Sequence, residues 1–315
     1  MGLNVTPIVT LDHRHTKQDI EWFLDSGIYS FRINPARIGI EQGMAVYDRV
    51  TALTPNASFY FDTLGNKQRI NKRKNKDAQY AIHINEWNET IYVEESFAKN
   101  VQEYDCVVVR AMSDIELCIT KKNDKEAFGE IVSINMICHE IKDKSHIYIK
   151  NRYIPNTDIS KRDCEIIRAF GNKGIMCLSF VDSPRVLNKA KKLCGGNKYY
   201  AKIESPVGVA NFKNILESAD GIIVGRDDLS VFYSYEEINH IALDMARSCN
   251  LKSMEIIPAS NYFIEVLETG EISDKQKTVL EDLYAIGVHS LYINETVLSR
   301  QHSFVRWLAQ YCRGV

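Results

Sequence analysis

The chain has 315 residues, 45% of them hydrophobic and 25% charged, with a formal net charge of −2. That is an ordinary globular composition, long enough for one large domain or a barrel with an insert. The near-neutral charge leaves no electrostatic footprint for nucleic acid or a membrane surface, and no apolar run approaches the ~20 residues of a spanning helix.

In chain order, Met1-Gly2-Leu3-Asn4-Val5 has no basic region leading into a long apolar segment, so no signal peptide is expected. Thr6 completes the outline of a myristoylation signal, but Val5–Leu11 is β-branched and predicts a first strand, and no second membrane signal appears. Lys17–Leu24 has helical spacing, with Thr16 placed to cap it. Tyr29–Ile33 predicts strand two, Glu41–Leu53 a helix with Val46, Tyr47, Val50 and Leu53 on one face, and Phe59–Phe61 strand three. From Gln68 to Lys150 the rhythm changes. The short runs Tyr80–Ile84, Thr90–Val93, Cys106–Val109, Glu116–Ile119, Phe128–Ile134 and His146–Ile149 predict a small all-β insert over 68–152, set into a main body of 1–67 and 153–315. The basic cluster Lys67, Arg69, Lys72, Arg73, Lys74 and Lys76 reads as a solvated loop, Arg69 excepted.

After Pro155 strand and helix signals alternate again. Helices are predicted at Ser160–Phe170, Ser183–Leu193, Pro206–Ser218, Glu236–Ser248, Lys275–Ala285 and near Ser303–Cys312. Between them lie strands at Gly174–Phe180, Tyr199–Ile203, Gly221–Val224, Ser253–Ile257 and Ser290–Ile293. Asp158 or Ser160 caps the first of these helices, and Ser205 with Pro206 starts the third. Without the insert this makes eight strand-then-helix units, the size of a (β/α)8 TIM barrel at about 230 residues. A doubly wound open sheet competes, but no G-x-G-x-x-G follows the first strand. The eight cysteines, Cys106, Cys118, Cys138, Cys164, Cys177, Cys194, Cys249 and Cys312, form no C-x-x-C pair and read as free thiols in a reducing cytoplasm.

The chemistry concentrates at strand ends. Lys202-Ile203-Glu204 closes strand five, and Gly225-Arg226-Asp227-Asp228-Leu229 follows strand six. Two carboxylates at such a point suit a hard divalent cation such as Mg²⁺, and a neighbouring ammonium suits a developing anion or a transferring phosphoryl group. A lone K-x-E is more often ordinary surface charge; two segments one βα unit apart favour a site. The C-terminal face of a barrel would also gather Arg32 and Asn34 from strand two, Asp62 and Thr63 from strand three, Ser260 from strand seven, and Glu295 and Thr296 from strand eight.

The text around these residues resembles the pyruvate kinase family. Ala201-Lys202-Ile203-Glu204-Ser205-Pro206-Val207-Gly208-Val209, running on to Asp220-Gly221-Ile222-Ile223-Val224, is similar to the stretch with that family's catalytic lysine and metal-binding carboxylates. Phe31-Arg32-Ile33-Asn34 resembles its R-x-N segment, Phe61-Asp62-Thr63-Leu64-Gly65 through Arg69 its D-T-x-G…R segment, and Ser179-Phe180-Val181 its S-F-V strand end. Ala259-Ser260-Asn261 falls where the family has A-T-Q, and Asn294-Glu295-Thr296 where it has G-E-T. The resemblance covers nearly the whole chain. It implies a barrel of the phosphoenolpyruvate/pyruvate superfamily with a small β lid after strand three.

The resemblance also implies roles. Lys202 neutralises the transferring phosphoryl group, Arg32 and Arg69 hold phosphate oxygens, Glu204 and Asp228 bind Mg²⁺ or Mn²⁺, and Ser260 keeps a hydroxyl near the enolate face. Asp227 and Asp228 open a short helix against the substrate carboxylate, beside Arg226. Asn34, Asp62 and Thr63 are candidate K⁺ ligands, although Ala36 stands where the family has a further serine. The nucleotide side departs more. Thr10-Leu11-Asp12-His13 replaces T-x-G-P, Arg37 replaces a histidine, and the acidic pair of the lid is missing near Val109–Ser113, while Lys150 matches the lid lysine. The chain ends at Val315 soon after the eighth helix, so the family's C-terminal regulatory domain is expected to be missing.

Three readings remain open at this stage. The first is a phosphotransferase taking the phosphoryl group of phosphoenolpyruvate to ADP or another acceptor, with His13 and Arg37 on the acceptor side. The second is a metal-dependent lyase or aldolase working through a pyruvate enolate. The third is a non-catalytic protein that binds phosphoenolpyruvate, a reading that the extra charge of Asp227 favours. The expected partner is a small molecule, phosphoenolpyruvate or a 2-oxo acid with or without a nucleotide; a homo-oligomer is compatible with the sequence, and the expected location is cytoplasmic.

Overall fold

A computed structural model describes residues 5–65, 67–76, 78–110, 114–135, 141, 143, 145–156, 158–259, 273–293 and 298–313. Eight parallel strands form one sheet. They are β1 (Thr6–Leu11), β2 (Ser30–Ile33), β3 (Ser58–Asp62), β10 (Ile175–Leu178), β11 (Tyr199–Ile203), β12 (Gly221–Gly225), β13 (Glu255–Ala259) and β14 (Ser290–Ile293). Their order is β13-β12-β11-β10-β3-β2-β1-β14, and the two ends lie side by side, so the barrel is nearly closed. Helices follow the strands on the outside, as parallel pairing demands a crossover between neighbours.

The period of two along each strand divides the barrel into layers. Ile8, Tyr60, Cys177, Tyr200, Ile223, Ile257 and Tyr292 pack together in one core, within the barrel. Val9, Phe31, Ile33, Phe61, Ala201, Ile203, Ile222 and Val224 pack with the apolar faces of the helices. Tyr60 meets Tyr200 and Tyr292 edge-on, with ring centroids 6.1 and 5.9 Å apart. Gly221 leaves room for this layer, since a Cβ there would lie 2.5 Å from the Tyr200 ring.

Local signals account for the helix starts. α1 (Lys17–Asp25) begins with a capping box between Thr16 and Asp19. Ser160 caps the helix Lys161–Phe170, and Ser234 and Glu237 form a capping box for Tyr235–Leu251. Two departures concern the active face. A short helix, Pro35–Ile38, follows β2 and is capped by the Asn34 side chain. The helix expected over Pro206–Ser218 is two pieces, Pro206–Ala210 and Phe212–Leu216. They meet at Asn211, whose side-chain amide donates to the Asp182 carbonyl at 2.8 Å. A tertiary contact outweighs helical periodicity there.

The chain divides into two compact units, 1–66 with 156–315, and 67–155. The second has its own sheet, ordered β5-β4-β8-β7-β6-β9, from β4 (Ala78–Ile84), β5 (Glu89–Glu94), β6 (Cys106–Arg110), β7 (Asp114–Lys122), β8 (Glu126–Asn135) and β9 (His146–Ile149). All neighbours are antiparallel except β4 and β8. It is not purely β, because Glu95–Ala98 forms a helical turn and Asn85–Trp87 a 3-10 turn. Its core gathers Ile82, Ile84, Ile91, Val107, Leu117, Ile119 and Ile147. Among the described residues no helix is long and apolar enough to cross a membrane.

Candidate active site

Strand alternation turns every second residue of β11 toward the barrel interior, so Tyr200, Lys202 and Glu204 point one way while Ala201 and Ile203 face the helices. Lys202 Nζ lies 3.0 Å from Asp62 Oδ2, 3.1 Å from Glu204 Oε1 and 3.2 Å from Ser179 Oγ. Arg32 Nη2 donates to the same Asp62 oxygen at 2.6 Å, and its Nη1 donates to Thr10 Oγ1 at 3.2 Å. The Arg32 guanidinium stands over the Tyr292 ring, 5.3 Å from its centroid. Three strands, β2, β3 and β11, thus bring two cations onto one carboxylate.

Burial makes this costly, because each desolvated ion forfeits several kcal/mol of hydration. Mutual pairing offsets it. Burial opposes the charged form of Asp62, yet Arg32 and then Lys202 outweigh that and hold its pKa at about 2. Burial likewise works against the Lys202 ammonium, but Asp62 and then Glu204 push its pKa up. Lys202 therefore stays cationic at neutral pH and is an electrostatic group rather than a base. Asp228, buried in the turn Arg226–Leu229 after β12, also bears on the Lys202 charge.

Glu204 is held from several sides. Its Oε2 accepts the Phe180 amide at 2.9 Å. Phe180 adopts a left-handed backbone, φ 52°, costly for a non-glycine residue and maintained only where its surroundings over-determine it. Asp182 ties those surroundings together. It accepts the Asn156 amide and the Ser205 hydroxyl, and the Asn156 side chain donates to the Phe180 carbonyl at 3.1 Å. Ser205 in turn caps Gly208 N at 2.9 Å. Gly225 supplies the space, since a Cβ there would lie 2.4 Å from Glu204 Cγ. Across the site, Thr63 Oγ1 accepts the Ser179 amide at 3.0 Å, and Asp163 accepts the Leu64 and Gly65 amides at 2.7 and 3.0 Å, fixing the loop after β3.

Lys202, Arg32, Asp62, Thr63, Thr10, Glu204, Asp228 and Arg226 are thus found at the C-terminal ends of the barrel strands. Asn34 has its side-chain oxygen engaged by Arg37 N at 3.1 Å, and Arg37 and His13 are exposed. Arg226 stacks on Tyr235, 4.7 Å from the ring centroid. Ser260, Glu295 and Thr296 lie outside the described residues. Arg69 and Lys150 belong to the second unit, where the Arg69 backbone forms an isolated antiparallel bridge with that of His146 and the Lys150 side chain pairs with Glu116. Sequence reasoning missed Asp182 and Asn156, and, around the loop after β1, the partners His15 and Gln301. There His15 Nδ1 accepts Asp12 N at 3.1 Å, His15 Nε2 meets Gln301 Oε1 at 2.9 Å, and Gln301 Nε2 donates to Thr10 O at 2.7 Å. Asp182 precedes Ser183-Pro184 and looks like part of a helix start, which hid its role.

The pyruvate kinase barrel-domain model matches residues 8–277. The chain belongs to the pyruvate kinase family. A pyruvate kinase of Borreliella burgdorferi is 23% identical over 295 residues, covering 87% of this chain and 61% of that protein. Pyruvate kinases of Thermococcus litoralis and Staphylococcus aureus are each 29% identical over shorter stretches, 44% and 38% of this chain and 32% and 22% of theirs. The chain spans less than two thirds of the length of these curated relatives. The expected family and the barrel architecture both stand.

Proposed function

We propose that this chain is a Mg²⁺-dependent phosphotransferase acting on phosphoenolpyruvate or a related 2-oxo acid, with ADP or another acceptor. The observation that carries this reading is the buried ammonium of Lys202, held between Asp62 and Glu204 beside the Arg32 guanidinium. Family membership supports the reaction class.

The donor set fits a hard cation. Asp62 Oδ1 is buried and has no hydrogen-bond partner among the described residues. Lys202 is buried with the carboxylates of Asp62, Glu204 and Asp228, and the Arg32 guanidinium stands beside them, little exposed. Carboxylate oxygens of this kind suit Mg²⁺. Among the described residues no three His, Cys, Asp or Glu side chains gather as a metal cluster, so Glu204 and Asp228 would hold the ion with substrate and water completing its shell. Bound there, Mg²⁺ would act as a Lewis acid stabilising enolate charge. Asp62 and Thr63 would be oxygen ligands for K⁺.

The protein's own groups do the rest. Lys202, cationic across neutral pH, stands ready for the oxygens of a phosphoryl group in transfer. Arg32 offers planar donors to phosphate, now directed at Asp62 and Thr10. Ser179, within 3.2 Å, keeps Lys202 aimed. At the acceptor side, Asp12 and Arg14 bring charge to the loop after β1, where they pair with each other, which supports an acceptor different from the nucleotide of the resemblance.

³¹P NMR with phosphoenolpyruvate, Mg²⁺ and K⁺, with and without ADP, tests the proposal. Phosphoryl transfer that disappears in Lys202→Met is the expected result. Unchanged phosphoenolpyruvate with every acceptor tried overturns it, and carbon–carbon chemistry without phosphoryl transfer would favour the lyase reading.

A further inference from the structure

The second unit places Cys106 of β6 directly opposite Cys118 of β7. Hydrogen-bond directions define the type of pair. The Cys106 carbonyl accepts Lys150 N at 2.8 Å, and its amide donates to Asn151 Oδ1 at 3.1 Å, so both main-chain groups face β9. On the β7 side the ladder bonds fall at the neighbouring position, where Ile119 N donates to Asp105 O at 3.0 Å and Tyr104 N to Ile119 O at 2.7 Å. Cys106 and Cys118 are therefore a non-hydrogen-bonded antiparallel pair. Such pairs bring their Cα atoms to about 4.5 Å and their side chains closest together, within the roughly 4.4–6.8 Å that a disulfide spans. Alternation puts both thiols on one face, opposite the core residues Val107, Leu117 and Ile119, and both are half-buried rather than sealed.

We propose that Cys106 and Cys118 form a modification site, a cross-strand dithiol that a peroxide converts into a disulfide. Cys106 Sγ lies 3.9 Å from Glu116 Oε2, and Glu116 pairs with Lys150. Burial, and then the Glu116 carboxylate, push the Cys106 thiol up. The thiolate of one of the pair attacks one peroxide oxygen, the O–O bond breaks, and a sulfenic acid and hydroxide form. The sulfur of its partner then attacks the sulfenic sulfur. The S–S bond forms, the S–O bond breaks, and the proton of the second thiol leaves with the oxygen as water. Overall two thiols and one hydrogen peroxide give one disulfide and two waters. The link joins β6 to β7 next to the Lys150–Glu116 pair and is reversible by thiol exchange.

The test is peroxide treatment of the native full chain, with intact mass and non-reducing peptide mapping. The expected result is a loss of two hydrogens, a peptide linking Cys106 to Cys118, and return to the dithiol with dithiothreitol. Cys106→Ser and Cys118→Ser should each lack that peptide while keeping the wild-type circular dichroism. Thiols that stay free, separate sulfinic acids at the two positions, pairing with another cysteine, or a link that forms only after unfolding would each overturn the proposal. None of these outcomes depends on phosphoryl transfer, so the two proposals stand or fall separately.

Discussion

At the residue scale, one carboxylate and one ammonium set the electrostatics. Lys202→Met should lower phosphoryl transfer by at least ~10²–10³-fold, the usual cost of deleting a preorganised charge-stabilising donor, with retained circular dichroism as the control. Asp62 has a folded pKa of about 2, below its value in the unfolded chain, so the unfolded state binds the proton first. Its contribution is complete above about pH 4 and is lost as pH falls toward 2. Urea unfolding should therefore show wild type losing roughly 2 kcal/mol more than Asp62→Asn between pH 5 and pH 2. Asp182 does not touch the proposed metal, but it holds Ser205, and through Asn156 the strained Phe180, on either side of Glu204. Asp182→Asn should weaken Mn²⁺ binding, read by electron paramagnetic resonance, by about 10-fold or more, the usual size of an outer-shell effect. Unchanged binding would make Asp182 a purely structural residue.

At the scale of elements, β12 matters because it ends in glycine. Gly225→Ala would drive a methyl group into Glu204, 2.4 Å from its Cγ, and should cost about 1–3 kcal/mol of stability by overpacking together with most of the Mn²⁺ affinity. Thermal unfolding and metal titration of the same variant check both. Strands and helices were largely legible in the sequence. Caps at Thr16, Ser160 and Ser205 act as their residue types suggest, because capping is a local hydrogen bond that needs no distant partner. The break at Asn211 was not legible, since its cause is the Asp182 carbonyl, 29 residues away in sequence. The Pro35–Ile38 turn was missed for a related reason. Asn34 suggested a cation ligand, yet its oxygen caps a helix.

At the scale of the whole molecule, each unit carries a separate core. Leu117 is fully buried in the second, and Leu117→Ala should destabilise that unit by about 2–5 kcal/mol, seen as faster amide exchange in β6, β7 and β8. By itself the sequence determined the alternation of strand and helix, the change of rhythm near Gln68, and which strand ends carry Arg32, Asp62, Lys202, Glu204 and Asp228. Those are properties of local period and residue type, which the chain writes directly. Only the tertiary structure decided that Asp62 Oδ2 receives both Arg32 and Lys202, that Asp182 braces Glu204, and that Cys106 faces Cys118. The first two join segments distant in sequence, and the third depends on the register of β6 against β7, where a shift of one residue would turn a side chain to the opposite face.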